Sequence, residues 1–276
     1  DAFEIFIEGY LATQAITQRT NHWVVGSIPL VLRERYKLPS DGTGIDGIYE
    51  DHGGRHIAYQ VKYRQAPHLT FAEVAPFLGI TDQFDDRVIF TNAVTLNDKA
   101  VARTRWFSRD IFNELTAENF REIEAWLKQK PLPIVKKKPA PHQVEALRNI
   151  ARTFESNDRA TCVMACGTGK TLVALWATEQ AKPKTVLVLV PSLTLLSQTL
   201  KDWSSQTSWG KRFSYLCVCS DASVRETDAI QLDTSEIGFP VDTDPTVVRT
   251  FLTRKTDDVK VIFSTYQSAK IVAEGT

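Results

Sequence analysis

Apolar and polar positions follow two different patterns along the chain. In residues 2–128, apolar positions recur either every three to four residues or every second residue, which is typical of amphipathic helices and of strands with one covered face. From residue 141 onward, continuous apolar runs such as 184–190 alternate with helical segments, which is typical of parallel strands joined by helices. We therefore expect an α/β protein with two domains.

The first predicted element is a helix over Ala2–Thr17. Its apolar residues recur at i, i+3, i+4, i+7 and i+8 and form one stripe (Phe3, Phe6, Ile7, Tyr10 and Leu11). We expect this stripe to be the buried side of the helix, and Glu4 and Glu8 lie off it.

A β-hairpin is predicted in the stretch 40–64. Gly53 and Gly54 supply the turn, and the returning strand alternates between two faces. One face carries Ile57, Tyr59, Val61 and Tyr63, and the other carries Ala58, Gln60 and Lys62. The alternation places the amide of Gln60 beside the ammonium of Lys62, where Asp46 of the preceding strand is expected to project.

Asp46, Gln60 and Lys62 form a candidate site for a metal ion and a phosphate. A carboxylate is a hard oxygen ligand for Mg²⁺, an amide oxygen is a weaker ligand, and the lysine can hold the attacking water and the phosphate. The alternative is a solvated strand face whose glutamine and lysine contact only water, because polar strand faces are common.

The spacing of these residues resembles the core of the PD-(D/E)xK nucleases in its Mrr-like variant, in which glutamine replaces the acid before x-Lys. The resemblance runs from about Ala2 to Leu127 and includes Phe3-Glu4, Gly-Ile-Asp46-Gly-Ile, Tyr-Gln60-Val-Lys62-Tyr, the amphipathic segment 71–78 and the strand 88–90. It implies a restriction-endonuclease-like α/β domain over residues 1–128, with the element order α-β-β-β-α-β. It also implies catalytic roles for Asp46, Gln60 and Lys62, with Asp46 and Gln60 as metal ligands. The helix glutamate of this family faces the metal, which implies a supporting role for Glu4, with Glu8 as the fallback.

The stretch Met164–Thr171 predicts a phosphate-binding loop. The apolar run 160–164 before it predicts a buried parallel strand, and 172–177 after it predicts a helix, which is the context that this loop requires. Backbone N–H groups would surround a phosphate, Lys170 would contact the outer phosphates, and the Thr171 hydroxyl would bind Mg²⁺. The candidate nucleotide-binding residues of the loop are Cys166, Gly167, Thr168, Gly169, Lys170 and Thr171. The alternative is an ordinary glycine turn that enters a helix, because Met164 stands where the full pattern has its first glycine.

A basic, proline-rich segment separates the two halves. Residues 129–140 contain lysines and prolines that are incompatible with a helix. We therefore expect a linker here, followed by a second domain over residues 141–276.

Four motifs of this second half stand in the order found in superfamily 2 helicases and translocases, which it resembles. Gln143 resembles the glutamine that recognises adenine, the phosphate loop follows, Pro191–Gln198 resembles motif Ia, and Ser264–Ser268 resembles the Thr-Tyr-Gln-Ser element. The resemblance implies a RecA-like parallel sheet and DNA contacts from Ser192, Thr265 and Tyr266. No counterpart of the Walker B carboxylates follows, so we expect a partial RecA-like domain in an N-terminal fragment.

Composition adds few constraints. The 33 basic residues balance the 33 acidic residues, so any DNA contact must come from a local patch. The four cysteines lack metal-ligand spacing and lie in apolar stretches, which predicts reduced thiols in the core. No apolar run approaches the roughly 20 residues that cross a bilayer, so we expect a cytoplasmic protein with no membrane partner.

The two resemblances together imply the N-terminal part of a restriction or anti-phage DNA endonuclease coupled to an ATP-dependent double-stranded DNA translocase, as in type I, type III and single-chain type I-like restriction enzymes. The implied cofactors are Mg²⁺ and ATP. The implied partners are double-stranded DNA and, as in those relatives, methyltransferase and target-recognition domains of the same polypeptide. The alternative is a DNA-remodelling ATPase whose nuclease-like domain is a non-catalytic DNA clamp, because Gln60 in place of an acid lowers the negative charge of the metal site.

Overall fold

The computed structural model describes residues 2–39, 41–130, 136–210, 213–219, 239 and 241–276. Contacts divide the chain into two compact units, one containing Asp1–Leu132 and the other containing Pro133–Asp228 and Val241–Thr276. Within the described ranges, no helix is both long and apolar enough to cross a bilayer.

The first unit is a mixed sheet with helices on both faces. Its elements are α1 (Ala2–Thr13), β1 (Arg19–Val24), α2 (Leu30–Arg35), β2 (Gly47–Asp51), β3 (His56–Lys62), β4 (His68–Leu69), α3 (Phe71–Ile80), β5 (Asp86–Thr91), β6 (Thr95–Leu96), α4 (Asp98–Val101), β7 (Arg105–Phe107), α5 (Arg109–Asn113) and α6 (Ala117–Leu127). Five strands pair in the order β1-β2-β3-β5-β7, and β4 pairs with β6. Strands β1, β2 and β3 are antiparallel, whereas β3, β5 and β7 are parallel.

Two apolar cores cover opposite faces of this sheet, because successive residues of a strand point to opposite sides. Ile57, Tyr59 and Val61 of β3 pack with α1, and Ala58 packs in the other core. The predicted alternation is therefore confirmed. The helix stripe is confirmed as well, although α1 ends at Thr13 and a 3₁₀ turn follows over Ala15–Thr17.

The predicted hairpin is formed by β2 and β3. The Asp51 carboxylate accepts hydrogen bonds from the N–H groups of Gly53 (2.6 Å) and Arg55 (3.0 Å), and Gly54 has a φ of +73°. This turn fixes the register that pairs Gly47 with Tyr59 and brings the start of β2 beside the end of β3.

A buried ion pair joins the parallel strands of the same sheet. Arg105 on β7 donates to Asp86 on β5 through Nε (2.7 Å) and Nη2 (2.6 Å), and both side chains are less than one-fifth exposed. Because a buried charge without its partner is costly, this pair ties β7 to the edge of β5.

The second unit contains a parallel sheet flanked by helices. Its elements are α7 (Pro141–Phe154), α8 (Lys170–Ala181), β8 (Thr185–Val190), α9 (Leu193–Gln206), β9 (Phe213–Val218), β10 (Val241–Asp242), α10 (Pro245–Thr253), β11 (Val259–Thr265) and α11 (Ala269–Gly275). The strand order is β10-β9-β11-β8, and all three pairings are parallel. The apolar runs 184–190, 213–219 and 259–263 predict three strands, which β8, β9 and β11 confirm.

The strand predicted at residues 160–164 is wrong. This run has no regular secondary structure, and Val163 is 90% exposed. A parallel strand requires a neighbouring strand to accept its backbone hydrogen bonds, and in the described residues β8 pairs only with β11. The continuous apolar run 184–190 also predicts a strand covered on both faces. This is wrong for β8, because Leu187 and Leu189 are 49% and 39% exposed.

Two further predictions about burial in this unit are corrected. Cys162 and Cys166 are exposed rather than core thiols, because the run that carries them is not covered, whereas Cys217 and Cys219 are buried. The apolar spacing in 141–154 predicts a buried side of α7 with Val144, Leu147, Ala151 and Phe154. Leu147 is buried, but Val144 and Phe154 are 41% and 53% exposed.

Candidate functional site

Asp46 is fixed against the end of β3 by two hydrogen bonds. Its backbone N–H donates to the carbonyl of Tyr59 (3.1 Å), and its Oδ2 accepts from the N–H of Val61 (2.6 Å). Val61 lies between Gln60 and Lys62 in β3, so the hairpin brings the three predicted residues of the metal and phosphate site together.

Gln60 is the buried member of this group. It is 4% exposed, and its Nε2 donates to the carbonyl of Gly44 at 3.1 Å. Its Oε1 is buried and has no hydrogen-bond partner among the described residues. An unsatisfied buried polar atom costs about 1–3 kcal/mol, and a cation that took this oxygen as a ligand would remove that cost.

Carboxylates concentrate negative charge around Asp46. Burial raises the pKa of Asp46, and Glu4 raises it further, while the Val61 N–H and Lys62 act in the opposite direction. Burial and then Glu4 raise the pKa of Glu8. Because Asp46 and Glu8 are harder to ionise beside Glu4, a divalent cation at this position would relieve the repulsion.

The donor set fits Mg²⁺ through mixed oxygen ligands and not through a carboxylate cage. No group of three or more His, Cys, Asp or Glu side chains in the described ranges is arranged to hold a metal. The amide oxygen of Gln60 and the carboxylate of Asp46 are both hard oxygen donors, and a magnesium ion usually keeps several waters beside one or two protein ligands. Two protein oxygens are therefore sufficient for this ion.

His22 and Tyr59 form a hydrogen-bonded pair near the carboxylates of the site. His22 Nε2 and the Tyr59 hydroxyl are 2.8 Å apart, and burial lowers the pKa of His22 to about 4. The pKa of Tyr59 is raised, first by burial and then by Glu8 and Asp46. Both groups are therefore neutral at physiological pH. Neither residue was predicted as part of the site, because the alternating pattern indicated only a core position for Tyr59 and no motif includes His22.

The phosphate loop of the second unit is held by helices. Gly167 and Gly169 have φ values of +76° and +80°, which favour glycine, and α8 begins at Lys170. The Lys170 ammonium donates to the carbonyls of Met164 (3.3 Å) and Ala165 (3.0 Å). The Trp203 indole of α9 donates to the Thr171 carbonyl at 3.1 Å.

Gln143 connects the start of α7 to this loop. Its Oε1 accepts from the N–H of Ala140 (2.8 Å), and its Nε2 donates to the carbonyl of Thr168 (2.9 Å). A Cβ added at Gly169 would lie 2.5 Å from the same Nε2, so only glycine allows this approach. Cys166 and Thr168 lie in the turn between Ala165 and α8, and Cys166 is exposed.

The predicted DNA-contacting residues lie at one edge of the parallel sheet. Thr265 pairs with Val190, so Ser192 and Tyr266 both follow the carboxyl ends of adjacent strands. Ser192 caps α9 by accepting from the N–H of Leu195 at 3.3 Å. Thr265 is fully buried and bonds to Ser268 (3.2 Å), whereas Tyr266 is 58% exposed. Of these residues, Tyr266 has the largest surface for a contact with DNA.

Comparisons with known proteins agree with this fold. The sequence profile of the family described as "Type III restriction enzyme, res subunit" matches residues 136–274. The solved structure of the ATP-dependent Type ISP restriction-modification enzyme LlaBIII bound to DNA is similar over 99% of this chain and 18% of that chain, with 23% identity and a TM-score of 0.76. A nuclease-deletion mutant of the Type ISP restriction-modification enzyme LlaGI, in complex with a DNA substrate mimic, matches 50% of this chain and 14% of that chain, with 32% identity and a TM-score of 0.40. No curated protein gives a significant match.

This chain thus spans about one-fifth of the length of the solved protein that shares its fold. The family profile covers half of the chain, including the phosphate loop, both neighbouring helices and the strands β8 to β11. The chain therefore belongs to the family of the Type III restriction enzyme res subunit.

Proposed function

We propose that this chain carries a Mg²⁺-dependent DNA endonuclease site and the first part of an ATP-dependent double-stranded DNA translocase, within a restriction enzyme. The family assignment supports the motor. The LlaBIII enzyme that shares the fold is ATP-dependent and was solved bound to DNA, which supports both DNA and ATP as ligands.

One observation carries the nuclease proposal. The carbonyl oxygen of Gln60 is buried without a partner, and its chain neighbour Val61 donates to the carboxylate of Asp46, whose pKa is raised by burial. A solvated strand face, the alternative function of this hairpin, would leave the Gln60 oxygen in contact with water. At 4% exposure Gln60 does not have that contact.

The residues of the first unit suit phosphodiester hydrolysis. Bound Mg²⁺ would supply Lewis acidity and a water of lowered pKa. Asp46 and Gln60 would hold the ion, since Asp46 immediately precedes β2 and is hydrogen bonded to Val61, the residue after Gln60 in β3. Lys62, which is coupled electrostatically to Asp46, would hold the scissile phosphate and the attacking water. Glu4 would add negative charge that favours the cation, with Glu8 in the same role one turn later.

In the second unit, nucleotide binding would reorganise the loop. The Lys170 ammonium would exchange two loop carbonyls for the outer phosphates, and the N–H groups at the start of α8 would face the same charge. The Thr171 hydroxyl would join the ATP-bound Mg²⁺. Gln143 would read the adenine edge with its amide, and Ser192 and Tyr266 would contact the tracked DNA at the sheet edge.

The test of the nuclease is cleavage of supercoiled plasmid by the full protein with Mg²⁺ and ATP. We expect nicking or linearisation that is lost in Lys62→Ala and in Asp46→Asn. Lys99→Ala is the matched control, because Lys99 is an exposed lysine of the same unit and far from the motif in sequence. Cleavage that persists in Lys62→Ala contradicts the proposal. ATP hydrolysis without any cleavage by the unaltered protein supports the non-catalytic DNA clamp instead.

A further inference from the structure

An arm between β1 and β2, residues 25–39, carries two adjacent aliphatic side chains into solvent. Leu30 and Val31, at the start of α2, are 68% and 74% exposed. The other apolar residues of the same arm are covered: Ile28, Leu32 and Tyr36 belong to the core. The exposed pair is therefore a local feature of an otherwise well-packed segment.

The arm is rigid because one guanidinium holds three of its carbonyls. Arg33 donates through Nε to Ile28 (3.3 Å), through Nη1 to Pro39 (3.3 Å), and through Nη2 to Val25. The Tyr36 ring then stacks on Phe84 with 3.9 Å between the centroids. Leu30 and Val31 are thus presented on a fixed support and lose little conformational entropy on contact.

The arm begins at the candidate nuclease site. The N–H of Val25 donates to the carbonyl of Asp46 at 2.8 Å. The same residue therefore contributes its carboxylate to the site and its carbonyl to the base of the arm. The arm then extends to the other end of β3, where the Tyr36 hydroxyl lies 2.9 Å from Nδ1 of His56. A duplex long enough to span β3 would reach both Asp46 and the arm.

The charge of the arm matches a polyanion. Arg33, Arg35 and Lys37 stand against one carboxylate, Glu34, in a chain with no net charge. Arg35 and Lys37 are exposed, and the Arg35 guanidinium lies 5.1 Å from the centroid of the Tyr36 ring. Apolar side chains flanked by cations are the combination with which proteins enter the minor groove and unstack a base step.

We propose that the arm is a DNA wedge. Leu30 and Val31 enter the minor groove and unstack a base step of the bound duplex, while Arg35 and Lys37 hold phosphates of the same duplex. This inference rests on the proposed nuclease function of the same unit, and it adds a deformation of the duplex that this unit would cut.

The test uses the full protein and short duplexes with 2-aminopurine at successive positions, in Ca²⁺ to prevent cleavage. The fluorescence of this base rises when it unstacks. We expect the unaltered protein to raise the fluorescence at one or two positions, and the double variant Leu30→Ser/Val31→Ser to lose this signal with about 10-fold weaker binding, which is about 1.4 kcal/mol. Leu127→Ser is the matched control, since Leu127 is also exposed (47%) in the same unit. Circular dichroism and the unfolding midpoint check that the double variant is folded.

Salt dependence tests the cationic half of the wedge. Each of Arg35→Gln and Lys37→Gln should reduce the slope of log K against log salt by about 1, because each removes one phosphate contact. Lys99→Gln, an exposed lysine outside the arm, should leave the slope unchanged.

Three results would overturn the wedge. The first is a double variant that unstacks the duplex as well as the unaltered protein does. The second is an unchanged salt slope in both cation variants. The third is a change of oligomeric state in the double variant with unaltered fluorescence, which would assign the aliphatic pair to contact between copies. The plasmid assay with Lys62→Ala is read separately, so unstacking by a protein that does not cleave would reject the nuclease and retain the wedge.

Discussion

Replacing Gln60 with methionine tests two effects of the buried Gln60 oxygen separately: the free energy lost because it has no hydrogen-bond partner, and its contribution to binding Mg²⁺. Methionine has nearly the volume of glutamine but cannot hydrogen bond. In wild type without metal, the buried Oε1 costs about 1–3 kcal/mol, and the bond from Nε2 to Gly44 contributes about 1 kcal/mol. The substitution removes both terms, so we expect the metal-free variant to be within about 1–2 kcal/mol of wild type.

Magnesium should then distinguish the two proteins. A cation bound only by the folded state stabilises it by about 2.7 kcal/mol at a concentration of 100 times its Kd. Wild type should gain this stabilisation, whereas Gln60→Met should gain little, because one of its two protein ligands is absent. Because the chain has two compact units, the stability has to be measured in the first unit itself. The assay is amide hydrogen exchange of the peptide that covers β3, in EDTA and in Mg²⁺, without nucleotide.

The matched control is Gln14→Met, because Gln14 in the same unit has both amide atoms hydrogen bonded to neighbours on α1 and α6. This variant should lose stability in EDTA and still gain protection from Mg²⁺. Equal protection of Gln60→Met and wild type by Mg²⁺ would refute the reasoning, since the metal would then bind without the amide oxygen.

Three further predictions follow from the described contacts. Arg105→Met should destabilise the first unit by about 3–5 kcal/mol in denaturant unfolding, because it leaves the Asp86 carboxylate buried and unpaired. Adding Asp86→Leu to this variant should restore most of the lost stability. An Arg105→Met variant as stable as wild type would contradict this prediction. The stability of the first unit should fall as the pH decreases from about 6.5 to about 4. The cause is that His22 in the folded protein stays neutral down to its pKa of about 4, whereas His22 in the unfolded chain binds a proton near pH 6.5. His22→Gln should reduce this dependence of stability on pH, and an unchanged dependence would exclude His22 as its source. Lys170→Ala should abolish ATP binding in calorimetry with less than about 1 kcal/mol of lost stability, since the ammonium bonds only to two carbonyls of an exposed loop, and retained ATP affinity would reject the loop as a nucleotide site.

Local sequence patterns predicted the structure correctly where each residue contacts residues that are close to it in the sequence. The α1 stripe, the β2–β3 hairpin and the faces of β3 all depend on short-range geometry, and the structure confirms them. The residues Asp46, Gln60 and Lys62 were brought together by the same hairpin. That the Gln60 oxygen has no hydrogen-bond partner could not be predicted, because it depends on contacts in the folded protein such as the one from Nε2 to the Gly44 carbonyl.

The error at residues 160–164 has the opposite origin. An apolar, β-branched run fits a buried strand, but a strand exists only beside another strand, and that neighbour is specified elsewhere in the chain. The predicted burial of Cys162 and Leu187 is wrong because residues 160–164 do not form a strand. The hydrogen bond from Gln143 to the Thr168 carbonyl could not be predicted from the sequence either, because it forms only when α7 and the glycine loop contact each other in the folded protein.

The most direct test of the central claim is anomalous diffraction from crystals of the protein grown with Mn²⁺ in place of Mg²⁺ and without nucleotide. We predict an anomalous peak within bonding distance of a carboxylate oxygen of Asp46 and of Oε1 of Gln60, and its absence from crystals of Asp46→Asn. A structure in which the Gln60 oxygen accepts a hydrogen bond from another group, with no Mn²⁺ beside Asp46, would contradict the metal site and with it the proposed nuclease.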